Sequence, residues 1–415
     1  MHDGRTILHV DMNNCYASIE CNLDPSLRGK AVAVGGDVEN RHGIILAKNY
    51  AAKAFGVSTG EALWQAKQKC PDLVIVPPHY EEYIKYSELA HGIYREYTDL
   101  MEPYGLDECW LDVTGSSLVM GSGKKIADEI RNRVKEELGI TVSVGVSFNK
   151  IFAKLGSDLK KPDAVTVIGE DSFREKVWPL PAEDMLGVGR ATSGLLSSWG
   201  IHTIGELAAA DPRLIQSRLG KNGLALISFA NGICPSPVCS ENFEPPVKSV
   251  GHGLTAREDL ENPAEVWNMM LSLSQDIGTR LRKYGKEARG VAIDIRNSEL
   301  RYRQWQCPLP QKTSSSGVIA RAAFELFDRS YSWSLPVRSL TVRAISLCSS
   351  SIPTQLSFYS DFRTVERQEK IDTAVDDIRR RFGKYSIMPA SLCRDIKMPT
   401  DREIQLKMPT GMLTI

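Results

Sequence analysis

Residues 106–113 read LDECWLDV, residues 123–139 read GKKIADEIRNRVKEELG and residues 141–146 read TVSVGV. The first reads as a strand, and the third, Thr-Val-Ser-Val-Gly-Val, alternates as a strand does. Between them Ile126, Ile130, Val134 and Leu138 recur at i,i+4, giving a helix one apolar face. Upstream, ILHV at 7–10 is a short apolar run of strand formers ending in Asp11, and residues 80–100 carry a helical pattern. The order strand, helix, strand, helix, strand predicts an α+β unit, a split βαβ sheet with helices on one face.

Outward from this unit the pattern changes. Residues 15–80 mix short strands, at 31–34 and 43–46, with helical stretches, and Pro77-Pro78 breaks the region. Residues 170–232 read as all-helical with glycines at turns. Residues 234–247, CPSPVCSENFEPPV, hold four prolines and predict a linker. Residues 248–348 again mix strands and helices, and carry 15 Lys and Arg against 10 Asp and Glu. Beyond 350 a tail with one amphipathic helix near 366–382 is expected. A chain of 415 residues accommodates two to four such domains.

The formal net charge is zero, so a basic nucleic-acid surface would have to be offset by an acidic site elsewhere. Nine cysteines are scattered without a C-x-x-C pair, which excludes a zinc ribbon and argues against a disulfide framework. No apolar run approaches the ~20 residues of a membrane span, and the first residues show no signal pattern. A soluble, cytoplasmic protein is the expectation.

The chemistry-bearing residues are carboxylates. Asp11 ends the first strand run, and Asp107 and Glu108 stand side by side among Leu106, Cys109, Trp110 and Leu111. Carboxylates in apolar strands need a partner or a metal. Mg²⁺ takes oxygen ligands from a few carboxylates plus substrate phosphates, and two such ions can serve the attacking and leaving oxygens of phosphoryl transfer.

HVDMNNCYASIE, NYAAKAFGV, YGLDECWLDV, SVGVSFNKIFAKLGSDLKKPD and LGVGRAT occur in this order across the chain. Over roughly residues 5–348 it resembles the Y-family DNA polymerases, in particular the bacterial DinB, polymerase IV-like group. The resemblance implies a multidomain right hand. Its palm is ferredoxin-like (1–14 and 81–168), its fingers small (15–80), and its helical thumb carries a helix-hairpin-helix (169–233). A linker (234–247), an α+β little finger (248–348) and a C-terminal tail (349–415) follow. It implies a monomeric, error-prone translesion polymerase that adds dNTPs to a primer 3′-OH on template DNA with two Mg²⁺ ions. Asp11, Asp107 and Glu108 match the metal-binding carboxylates, with the Met12 carbonyl as a further ligand. Tyr16 matches the steric gate that excludes a ribose 2′-OH. Tyr50, Lys53 and Lys161 match residues that grip the triphosphate, and Asn149, Lys150 and Lys154 match residues with structural and DNA-proximal roles.

The chain departs from that pattern in places. Asn13-Asn14-Cys15 replaces a stretch that more often holds an acidic residue and aromatics. Lys53 stands where arginine is usual, and a point charge replaces a bidentate fork. Ala47 stands where a hydroxyl is usual, with Lys48 beside it as a possible substitute. Gly187 and Gly189 suit a backbone that approaches a phosphate. Arg280, Arg282, Lys283, Arg301 and Arg303 suit tracking of a DNA backbone, and Gln355–Tyr359 resembles a sliding-clamp peptide. Two other readings share features of the sequence: another two-metal palm enzyme such as a nucleotidyl cyclase, and a catalytically weak DNA-binding accessory subunit of a mutagenesis complex.

Overall fold

The computed structural model describes residues 4–36, 43–243, 245–353, 362–393 and 397–398. They form two compact units that meet in sequence between Pro245 and Pro246.

The strands of the first unit are β1 (Ile7–Met12), β2 (Val32–Gly35), β3 (Ile45–Lys48), β4 (Val74–Val76), β5 (Met101–Tyr104), β6 (Glu108–Asp112), β7 (Val142–Ser147) and β8 (Val165–Ile168). Its main sheet runs β5-β6-β1-β7-β8, antiparallel except for the parallel edge pair β7/β8. Helices Tyr80–Arg95 and Gly123–Leu138 complete a βαββαβ unit. Numbered within that unit, the four antiparallel strands lie in the order 4-1-3-2, the ferredoxin-like arrangement. Helix Gly123–Leu138 is bounded by Ser122, whose hydroxyl accepts from Lys125 N, and by Gly139 at φ 68°.

The two faces of the sheet follow from alternation. Leu8, Val10, Met12, Cys109, Leu111, Val142, Val144 and Val146 enter one core with Tyr83, Tyr94, Ile126, Ile130 and Val134 of those two helices. Ile7 and Trp110 face the other way, into a second cluster with Ala153 and Val238. Helix Lys150–Leu159 covers that second face, so helices are not confined to one side as the sequence pattern predicts. Its approach depends on Gly145. A Cβ there would lie 1.9 Å from Ala153 O and 2.5 Å from Ser157 N.

A small sheet β3-β2-β4 with its own core of Ala33, Ile45, Val57, Leu63 and Leu73 is inserted between β1 and helix Tyr80–Arg95. Helix Cys15–Leu23 introduces the insertion yet buries Cys15 and Ile19 in the palm-like core. Residues 173–230 are helical around Phe173, Leu196, Ile204 and Ile215. The proline-rich stretch after them is not a free linker. Arg5 donates to Cys234 O and Ser236 O, Cys239 N donates to Glu102, and Arg95 pairs with Glu241. Composition predicts a linker over 234–247, the units divide within it, and long-range hydrogen bonds hold its residues 234–241 to the first unit.

The second unit contains β9 (Val250–Leu260), β10 (Lys286–Asn297), β11 (Tyr302–Thr313) and β12 (Val337–Ser349), in the antiparallel order β11-β10-β12-β9. Helices Pro263–Lys283 and Ser316–Ser330 bury Val266, Met270, Ile277, Ile319 and Phe327 against it. A further helix, Phe362–Phe382, docks through its acidic residues. Glu369 accepts from Thr313 Oγ1, and the buried Asp372 accepts from Ser316 N at 3.0 Å, at the start of helix Ser316–Ser330.

Candidate active site

The register of β1 against β6 sets Asp11 directly opposite Glu108. Asp107 sits in the turn entering β6, where its carbonyl accepts from Met12 N at 2.9 Å. Met12 itself follows Asp11 in the strand, with its side chain in the palm-like core. The three carboxylates therefore come from adjacent strand ends, and a helix brings cations to them. Lys154 pairs with Glu108 through Oε2, and Lys161, just past the helix end, pairs with Asp11 Oδ2 at 2.7 Å and with Asp158 at 2.8 Å. Among the described residues neither Asp11 Oδ1 nor Glu108 Oε1 has a hydrogen-bond partner.

Burial raises the Asp11 carboxyl to about 7, against the opposing pull of Lys161. Burial raises Asp107 too, helped by the neighbouring charge of Glu108. Glu108 is also pushed up by burial, but His9 and Lys154 overcome this and hold it down at about 2. Two of the three carboxylates are thus short of compensating positive charge. Asp11 and Glu108 are turned towards lysines, and among the described residues no three acidic, His or Cys side chains already surround one point. Hard oxygen donors, two of them under-compensated and each pair of lysine contacts leaving an oxygen open, fit a divalent cation.

The expected substrate residues are partly gathered here. Tyr16, half-buried at the start of helix Cys15–Leu23, stacks on Tyr83 with centroids 4.1 Å apart and planes 11° apart. Tyr83 is anchored in turn by its hydroxyl on the buried Glu20. The Tyr50 hydroxyl is pushed up by burial and, less strongly, by the charge of Asp11, against the pull of Lys161. Lys53 is exposed, 5.8 Å from the Tyr50 ring centroid, and no contact joins it to the carboxylates. Lys48 donates to Thr59 at 3.1 Å, and as the strand neighbour of Ala47 it points to the opposite face, so it does not replace a hydroxyl there.

Asn13 has a definite task. Its side chain donates to Ser143 and accepts from Thr141 Oγ1 and Asp163 N, tying β1 to β7 and to the loop after Lys161. Asn14 takes the left-handed conformation, φ 50°, that asparagine tolerates. The LGVG segment turns at Gly187, φ 94°, and leaves Gly189 as the N-cap of helix Arg190–Ser198, with open space where its Cβ would be.

Sequence reading offers no role for His9, which faces Glu108, for Ser157, which contacts His9, or for Asp158, which pairs with Lys161, and it gives Lys154 a structural and DNA-proximal role. Period-two alternation does put His9 on the face of Asp11, and Ser157 follows Lys154 by one helical turn. Those spacings were the available signal.

The profile of the impB/mucB/samB family matches residues 10–158, and that of its C-terminal domain matches residues 247–358. A DNA polymerase IV of Acetivibrio thermocellus is 50% identical over 391 residues, covering 94% of this chain and 98% of that one. The chain belongs to the Y-family of DNA polymerases. DNA polymerase IV 1 of Bacillus subtilis is 36% identical over 381 residues, covering 92% of this Y-family chain and 91% of the relative. A solved Y-family DNA polymerase chimera shares the fold, with a TM-score of 0.72 at 22% identity over 83% of this chain and 99% of that one.

In the second unit of this Y-family member the expected basic face is smaller than the residue count implies. Arg280 is held by Gly251 O at 3.0 Å and by Asp276 at 3.4 Å. Arg282 is held by Asp376 at 2.5 Å and by Ser314 O at 2.8 Å. Lys283 and Arg303 are exposed, and Arg301 is exposed beside Glu299. The expected clamp peptide, Gln355–Tyr359, lies outside the described residues. Among the described residues no helix is long and apolar enough to cross a membrane.

Proposed function

We propose that this chain is a template-directed, error-prone translesion DNA polymerase, with its chemistry at Asp11, Asp107 and Glu108. The observation that carries the reading is the cross-strand pair Asp11–Glu108, adjoined by Asp107, in a chain half identical to a DNA polymerase IV. Primer–template DNA and dNTPs are the partners this implies. The accessory-subunit alternative has no support in the site, where all three carboxylates are present.

Asp11, Asp107, Glu108 and the Met12 carbonyl would hold two Mg²⁺ ions. When bound, such ions activate the primer 3′-OH and offset charge on the triphosphate. The protein groups have distinct tasks. Lys161, shared by Asp11 and Asp158, would turn its ammonium towards the phosphates, and the Tyr50 hydroxyl would offer a second donor. Lys53 would meet the outer phosphates from the solvent side. The Tyr16 ring, fixed flat against Tyr83, would close the space beneath the sugar at the 2′ position.

Extension of a labelled primer on a template with Mg²⁺ tests the proposal. Wild-type protein should extend the primer and Asp107→Ala should not, while both bind the DNA. Extension by Asp107→Ala at the wild-type rate would refute the assignment of the site. Absence of extension by wild-type protein that binds DNA tightly would refute the polymerase reading.

A further inference from the structure

His9 lies at the centre of the sheet, completely buried, between Trp110 on β6 and Gly145 on β7. Its ring meets Trp110 edge-on, with centroids 5.1 Å apart. Burying an imidazole in a sheet core is costly unless both nitrogens are used. Here Nδ1 lies 2.8 Å from Ser157 Oγ. Nε2 has no full hydrogen-bond partner, and the polar atom it faces is Glu108 Oε2, at 3.2 Å.

We infer that His9 and Ser157 form a positioning relay that holds one oxygen of Glu108 and so orients the other towards the divalent cation. The inference rests on the proposed role of Glu108 and extends it. The Ser157 hydroxyl has one proton and two acceptors in reach, His9 Nδ1 and, at 2.7 Å, the Lys154 carbonyl. Turned towards His9, it donates to Nδ1 and leaves the ring proton on Nε2, where it faces Glu108. Oε2 then receives both His9 and Lys154, and Oε1 stays open. A flexible glutamate is thereby reduced to one orientation, the task that groups behind metal-ligating side chains perform. The relay exists because Gly145 lets helix Lys150–Leu159 lie against β7 closely enough for Ser157 to reach across to β1.

The test is Mn²⁺ binding followed by electron paramagnetic resonance. The full chain is used with a dideoxy-terminated primer–template and the matching dNTP, so that no turnover occurs. His9→Phe keeps an aromatic ring against Trp110 and loses both nitrogens. It should raise the Mn²⁺ dissociation constant by about tenfold. Ser157→Ala should raise it by a smaller factor. His9→Gln, which can present an amide N–H to Glu108, should restore most of the affinity. Thermal melting of each variant separates loss of affinity from loss of fold, and if His9→Phe does not fold, the Ser157→Ala and His9→Gln pair decides. Wild-type affinity in His9→Phe and Ser157→Ala would overturn the relay, as would His9→Gln binding as weakly as His9→Phe. Glu108→Gln distinguishes the two levels. If it leaves Mn²⁺ affinity unchanged, the role of Glu108 itself is wrong, whereas weakened binding in Glu108→Gln alone would remove only the relay.

Discussion

Replacing Gly145 by alanine adds one methyl group where the sheet and helix Lys150–Leu159 already touch. The new Cβ would fall 1.9 Å from Ala153 O, 2.5 Å from Ser157 N and 2.9 Å from Gly156 C. All three are backbone atoms, so no side chain can rotate away. An ordinary carbon contact needs about 3.5 Å, and the helix must therefore retreat by roughly 1.5 Å or tilt. Overpacking of this kind costs about 1–3 kcal/mol, and rigid obstructing atoms put Gly145→Ala at the upper end. For a unit of this size that corresponds to a fall of roughly 6–12 °C in Tm. A retreat of that size would also open the His9–Ser157 contact, now 2.8 Å, and lift Lys154 from Glu108. Primer extension should fall together with stability. Gly92→Ala is the control. Gly92 is helical with open space at its Cβ position, so alanine there should stabilise by about 0.5–1 kcal/mol. The measurement is the urea midpoint of each variant. A Gly145→Ala midpoint equal to that of wild type, or to that of Gly92→Ala, would refute the close-packing argument.

Three further outcomes are expected. Burial, aided by the charge of Arg95, depresses His91 from 6.5 to about 4. The unfolded chain then takes up a proton that the folded chain refuses, so stability is complete above pH 6.5 and falls by up to about 3 kcal/mol towards pH 4. Urea midpoints across that window should be less pH-dependent in His91→Leu, and an unchanged slope would count against the assignment. Asp372→Ala removes the buried acceptor of Ser316 N and should destabilise the second unit by about 1–3 kcal/mol, read as a lowered melting transition. Tyr16→Ala should relax discrimination between dNTPs and rNTPs by about 10²-fold in kcat/KM. Unchanged selectivity in single-nucleotide incorporation would remove Tyr16 from that role.

The fold was legible where local pattern decides it. The i,i+4 spacing of Ile126, Ile130 and Val134 gave helix Gly123–Leu138, and all three side chains are buried. The short edge strands β5 and β8 escaped because four residues at a sheet edge leave little periodicity. The opposition of Asp11 and Glu108 could be approached from sequence, since both end or begin apolar strand runs. Lys154 could not be paired with Glu108, 46 positions away, nor His9 with Ser157, 148 away, because side-chain contacts between distant elements have no local signature. The same limit explains residues 234–241. Four prolines in that neighbourhood signal an absence of regular structure, but whether an irregular stretch is loose or fastened depends on acceptors such as Glu102, far off in sequence. The partner of Arg282 was hidden for that reason as well, since the carboxylate that holds it comes from a helix almost a hundred residues later.

The insertion of residues 15–79 between β1 and helix Tyr80–Arg95 has a consequence for how this chain can change. The strands bearing Asp11 and Glu108 pair with each other, and on their outer sides with β7 and β5 respectively, with no ladder pairing to β2, β3 or β4. The inserted sheet keeps a modest core of its own. Lengthening a loop of that inserted sheet leaves the register that sets Asp11 opposite Glu108 untouched, so the inserted sheet can drift under selection while the pairing of the palm-like strands is kept.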